Sequence, residues 1–247
     1  MLFMVEMKTK LSNFGPVVAI SLDAESRRRE HLISQFEDYG ITDYRIMSAY
    51  DGRQEGLTAY KMSSGEIGCS ISHLKAIRDW YENDLESPYL IVCEDDLSLD
   101  TVDLWRWSWD EFMQNAPKDF DIIHLSPPPF TEHEVLDLKL RKIDKNNTPL
   151  LTTIYVISRL GAKKVLDGRI VSGEVLIDYN NRDNVADYKL LYGTVDNGYH
   201  ISLFAADPRF ESSIEGHTDQ YFYDSVKGVT TNLLEKSELS IQEILKL

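Results

Sequence analysis

Apolar positions along this chain fall into two rhythms. Short unbroken runs lie at residues 17–22 (VVAISL), 88–93 (PYLIVC), 120–126 (FDIIHLS) and 152–158 (TTIYVIS). They are β-branched, bounded by Gly, Pro or polar clusters, and predict buried strands. Between them the spacing changes to that of a helix. Leu32, Ile33 and Phe36 share one face of residues 26–39, with Ser26 as N-cap and Gly40 as the stop. Ile67, Ile71, Leu74, Ile77 and Trp80 recur at helical spacing behind Ser63 or Ser64. Residues 101–115 predict a helix carrying Trp105, Trp107 and Trp109, closed by Pro117, and residues 159–168 a short helix. Residues 43–52 read as a strand and turn, 133–143 as a hairpin arm, and 199–207 as a strand. After Gly173 the pattern weakens until an amphipathic tail over 233–246.

The order strand, helix, strand predicts an α/β fold with a mostly parallel central sheet flanked by helices. With 247 residues the chain fits a single domain over 1–247. Residues 1–14 form an N-terminal extension in this reading, and 231–247 a C-terminal amphipathic helix.

Composition changes the picture in two places. At 43% hydrophobic and 27% charged the chain is an ordinary globular protein, but its net charge is -15. Such a surface repels phosphate backbones and anionic lipid, so the sequence predicts no nucleic-acid binding and at most weak membrane association. Its two cysteines, Cys69 and Cys93, give no zinc spacing and no disulfide framework. They read as buried thiols in a reducing compartment. With no stretch long enough to span a bilayer, the expected location is the cytoplasm.

The chemistry concentrates in PYLIVCEDDLSL, where a buried strand ends on Glu94, Asp95 and Asp96. Strand ends open into the ligand crevice of α/β proteins. Acids there either hold a hard cation or cap the following helix and face water.

Several pieces, in order, resemble glycosyltransferase family 25: AISLDAESRRRE, SAYDGR, SSGEIGCSISHLKAIRDW, YLIVCEDDLSL and YVISRLGAKKVL. The resemblance covers roughly residues 17–167. It implies a GT-A-type nucleotide-sugar fold. It also implies inverting transfer, usually of galactose from UDP-galactose, with Mn2+ (or Mg2+) as cofactor. The acceptor is then a glycan, lipid-linked or protein hydroxyl. Carried over residue by residue, Asp96 and Glu94 become metal ligands, and Asp95 touches the ribose or sugar. Ser21 and Leu22 lie against the uridine. One of Arg27, Arg28 and Arg29 reaches the base or diphosphate, and Asp51 flanks the nucleoside. Gly65 and Gly68 allow close backbone approach at a helix start, where free N–H groups suit an anion. Ser72 and His73 line the donor pocket, with a satisfied core histidine as the other reading of His73. A late histidine, His217, completes the metal shell, with His124 as a second candidate.

An inverting transferase also needs a base for the acceptor hydroxyl. Asp178 matches the family's downstream Asp by position, although the proline that often precedes it is missing. Glu174 is the reserve and Asp196 a more distant candidate. His200 reads as structural, at least one tryptophan as core, and the aromatic segment at 219–224 as an acceptor-side wall. Two other readings remain at this point: a non-catalytic glycan-binding or nucleotide-sugar-binding relative, and a metal-dependent phosphohydrolase, which CEDDLSLD fits poorly.

Overall fold

The structure is a computed structural model, and it describes residues 10–57, 59–128, 137–146, 148, 150–210 and 220–247. The first strand, β1 (Val17–Ser21), leads into α1 (Ser26–Tyr39) and β2 (Tyr44–Ser48). Next come α2 (Ser64–Asn83), β3 (Tyr89–Glu94) and the short β4 (Leu97–Ser98). A 3-10 turn (Asp100–Leu104) precedes α3 (Trp109–Asn115), β5 (Ile122–His124) and β6 (Arg141–Lys142). β7 (Ile154–Ser158) runs into α4 (Arg159–Leu166), and β8 (Ile170–Val171) with β9 (Glu174–Val175) makes a small hairpin. The chain closes with β10 (Gly198–His200), β11 (Ala205–Ala206), α5 (Gln220–Lys236) and α6 (Ile241–Ile244).

Seven strands form one sheet in the order β2-β1-β3-β7-β5-β10-β6. β1 pairs parallel with β2 and β3, and β5 parallel with β10. β7 runs antiparallel between β3 and β5, and β6 is an antiparallel edge. The sheet is therefore mixed, with its parallel half at β2-β1-β3. Because β7 is reversed, its first residues lie at the same edge as the last residues of β1, β3 and β5.

Both faces of the sheet are covered, which explains the unbroken apolar runs. Val17, Ala19, Ile91 and Cys93 point to one side, where α1 (Leu32, Phe36), α3 (Trp109, Phe112), α5 (Leu234) and α6 (Ile241, Ile244) pack. Val18, Ile20, Leu90 and Val92 point to the other, against α2 (Leu74, Ile77), α4 (Ala162, Val165) and a π-helical turn over Ala186–Leu190. Each such side chain contributes about 1.5–3 kcal/mol by leaving water.

Local chemistry sets the boundaries. Gly40 takes φ 71° and ends α1 in the left-handed cap the sequence predicted. Ser26 is the first helical residue and Glu25 precedes it without a side-chain cap, so the expected Ser26 cap is not formed. Ser63 and Glu66 make a reciprocal capping box on α2. The helix expected over 101–115 is a 3-10 turn followed by α3, which starts at a Ser108–Glu111 capping box. All three tryptophans are buried, and Trp105 stacks on Trp107 in the segment between. The strand expected over 199–207 splits into β10 and β11. The tail breaks at Ser240, which caps α6 with Glu243. The hairpin arm expected over 133–143 falls partly outside the described residues.

Candidate functional site

A cleft opens at the C-terminal ends of β1 and β3. It encloses about 560 Å3 including its open mouth. Its walls come from five places. Ile20 and Leu22 leave β1, residues 49–53 follow β2, Gly65, Cys69 and His73 lie on α2, and Glu94 and Asp95 end β3. Arg28 enters from α1.

Helical periodicity explains why Arg28, of the three arginines, arrives. Arg28, Leu32, Phe36 and Tyr39 form the buried stripe of α1. Arg27 is exposed, and Arg29 turns back to Ser21 Oγ (3.3 Å) and to Asp23 (3.0 Å). The guanidinium of Arg28 pairs with Asp95 Oδ1 at 2.7 Å and Asp96 Oδ2 at 3.1 Å. Burial works to lower its pKa, but Asp96, Asp95 and Glu94 outweigh burial and hold it above its ordinary value.

The three acids differ. Burial pushes the Asp96 carboxyl up to about 7, with Glu94 and Asp95 adding to the shift and Arg28 opposing it. Asp95 is also raised by burial, against the pull of Arg28 and a bond from Ser21. Burial alone would raise Glu94, yet bonds from His73 and Thr152 and the charges of His73 and Arg28 bring it below its ordinary value. The turn is fixed from behind. Gln35 donates to Leu97 O at 2.9 Å and accepts from Leu99 N–H at 2.8 Å, and Asp207 N–H donates to the carbonyl of Asp96. Asp96 Oδ1 is buried with no hydrogen-bond partner among the described residues. A carboxylate set with one unsatisfied buried oxygen fits a hard divalent cation.

His73 is fully buried between Tyr155 OH (3.0 Å from Nδ1) and Glu94 Oε1 (3.2 Å from Nε2). The Thr152 hydroxyl donates to the same Glu94 oxygen. One residue earlier, Leu151 holds φ 73°, a strained value for leucine. Asp187 sits on the π-helical turn, and burial raises its pKa, with Glu94 and Glu66 adding to the shift.

Of the residues the sequence singled out, Leu22, Arg28, Asp51, His73, Glu94 and Asp95 line the cleft. Ser21, Gly68, Ser72 and Asp96 stand just behind it. Ser72 Oγ accepts from Tyr50 N–H at 2.8 Å and donates to Gly68 O at 2.7 Å, so it ties the rim loop to α2. Gly68 is not at an open helix end. It lies past the first turn, and the amide of Glu66 there is already taken by Ser63. Gly68 packs instead against the rim loop, where a Cβ would meet Tyr50 O and Gly52 N.

Glu174 is exposed on the β8–β9 hairpin and Asp178 is exposed in the loop beyond, bonded to Asn180 N–H, so neither is brought to the cleft. Asp196 pairs with Lys145 and Lys164. His124 is buried and stacked on Tyr192, and His200 is partly buried on β10. His217 lies outside the described residues, as does part of the aromatic segment at 219–224. Asp187 was missed. Its signal was a lone acid in the apolar stretch Val185–Leu191, hidden because a π-helical turn has no 3.6-residue period.

Among the described residues no helix is long and apolar enough to cross a membrane. No curated protein matches the chain. The family described as glycosyltransferase family 25 (LPS biosynthesis protein) matches residues 14–171.

Proposed function

From its membership of glycosyltransferase family 25, we propose that the chain is a metal-dependent inverting hexosyltransferase that takes galactose from UDP-galactose to a saccharide hydroxyl. The observation that carries this reading is Asp96, a buried carboxylate next to two acids that line the strand-end cleft, with one oxygen unsatisfied and Arg28 beside it. Glu94 and Asp96 hold Mn2+ or Mg2+, which supplies charge compensation for the departing diphosphate. Arg28 adds its own positive charge beside the same diphosphate. Asp51, Leu22 and the backbone of the rim loop take the nucleoside.

Asp187, rather than Asp178 or Glu174, is the base in this reading. It stands on a different element from the EDD turn, and burial and the charge of Glu94 both raise its pKa. The acceptor oxygen bonds to the anomeric carbon as the bond from that carbon to the phosphate oxygen breaks. The acceptor proton passes to Asp187, and UDP leaves. Saccharides of the lipopolysaccharide kind, which the family's description names, are the acceptors to try first.

Calorimetric titration with UDP, with and without Mn2+, tests the reading. Mn2+-dependent UDP binding that Asp96→Asn removes is the expected result, followed by hydrolysis of UDP-galactose in preference to other UDP-sugars. Binding of glycan without any nucleotide response overturns it in favour of a non-catalytic relative.

A further inference from the structure

Cys69 and His73 stand four residues apart on α2 and therefore on one face. That face looks at the end of β3, where Glu94 emerges. A sulfur, an imidazole nitrogen and a carboxylate oxygen of these three residues all lie within 4.8 Å of one another. We propose that Cys69, His73 and Glu94 form a thiolate–imidazole–carboxylate site for a Zn2+-class ion at the floor of the cleft.

Three observations carry this. The first is spacing. His73 Nε2 and Glu94 Oε1 are 3.2 Å apart. Two ligand atoms at about 2.0–2.1 Å from a tetrahedral zinc lie roughly 3.3–3.4 Å apart, so these two are already set. The second is support from behind. Tyr155 OH bonds His73 Nδ1 at 3.0 Å and turns Nε2 toward Glu94, while the Thr152 hydroxyl donates to Glu94 Oε1. Metal-binding histidines are oriented in this way. The third is openness. Cys69, His73 and Glu94 all line the cleft, which leaves a fourth position for water or a ligand.

The ligand types choose the ion. Sulfur and imidazole favour Zn2+ over Mg2+ or Mn2+, which prefer all-oxygen shells. Binding releases the Cys69 thiol proton and needs the imidazole proton on Nδ1, facing the Tyr155 oxygen. Glu94 belongs to this set and to the hard-cation set proposed above, so the two ions exclude one another. The zinc site itself needs no nucleotide, and its test can fail while the transferase reading stands.

The test uses Co2+ as a visible probe on the metal-free full chain without nucleotide. The expected spectrum is that of four-coordinate Co2+ with a thiolate charge-transfer band, bleached by one equivalent of Zn2+. Cys69→Ser loses the charge-transfer band, while Cys93→Ala, which changes the thiol outside the cluster, keeps it. Tyr155→Phe weakens Zn2+ affinity about 10–100-fold. In the unmutated chain Zn2+, but not Mg2+, prevents alkylation of Cys69 by iodoacetamide, as read by peptide mass spectrometry. A six-coordinate Co2+ spectrum, a charge-transfer band surviving in Cys69→Ser, or unprotected Cys69 overturns the proposal.

Discussion

Gly52 and Gly68 lie back to back where the rim loop crosses α2. A Cβ on Gly68 would fall 2.4 Å from Tyr50 O and 2.9 Å from Gly52 N, and a Cβ on Gly52 would fall 2.1 Å from Ser64 O. These are backbone obstacles, so neither can swing aside. Gly68→Ala is expected to cost about 1–3 kcal/mol in urea denaturation. It should also weaken UDP binding by pushing Asp51 and Arg53 outward. Gly228, exposed on α5 with nothing within 4 Å, is the contrast. Gly228→Ala should raise stability by about 0.5–1 kcal/mol.

Arg28 is the counter-ion of two buried acids. Arg28→Met keeps much of the volume and removes the charge. Asp95 and Asp96 then stay buried without their cation. The expected loss is about 3–5 kcal/mol, read as a fall in the denaturation midpoint. If Mn2+ takes up part of the missing charge, the midpoint of Arg28→Met will rise with Mn2+ more than that of the parent chain.

Asp187→Asn tests the proposed base. Transfer should fall about 10²–10⁴-fold, while UDP affinity in the presence of Mn2+ stays as in the parent. Asp178→Asn and Glu174→Gln, both exposed, should leave the rate near its original value. A rate that follows Asp178 instead would return the base to the sequence-based choice.

Acid should unfold the chain through its paired histidines. His124 and His200 face one another across β5 and β10. Burial holds His200 down to about 4, helped by Arg141, and pushes His124 well below its ordinary value. Above pH 6.5 neither folded nor unfolded chain binds the His200 proton. Between 6.5 and about 4 the unfolded chain binds it and the folded chain does not, so stability falls as pH falls. For His200 the loss reaches up to about 3 kcal/mol. Urea midpoints should drop across this window, and the drop should be shallower in His200→Gln.

Much of this was legible in the residues because periodicity reports burial. The strands β1, β3, β5 and β7 stood out as apolar runs since both sheet faces are covered. Extending the stripe of Leu32 and Phe36 back by four would have picked Arg28 over its neighbours. Other features depend on distance across the fold. Nothing near Cys69 in sequence announces Glu94, and the reversed β7 that brings Thr152 to it follows from strand order alone. Asp187 was obscured by irregular helix, and the tryptophan segment by tertiary packing that overrode the helix expected over 101–115.

The reversal of β7 has one more outcome. The polypeptide departs from the ligand edge after His124 and comes home to that edge at Ile154. Between the two points the chain also lays down β6, the antiparallel edge of the sheet beside β10. An insertion between β5 and β6 would therefore leave the strand order and the EDD turn as they are.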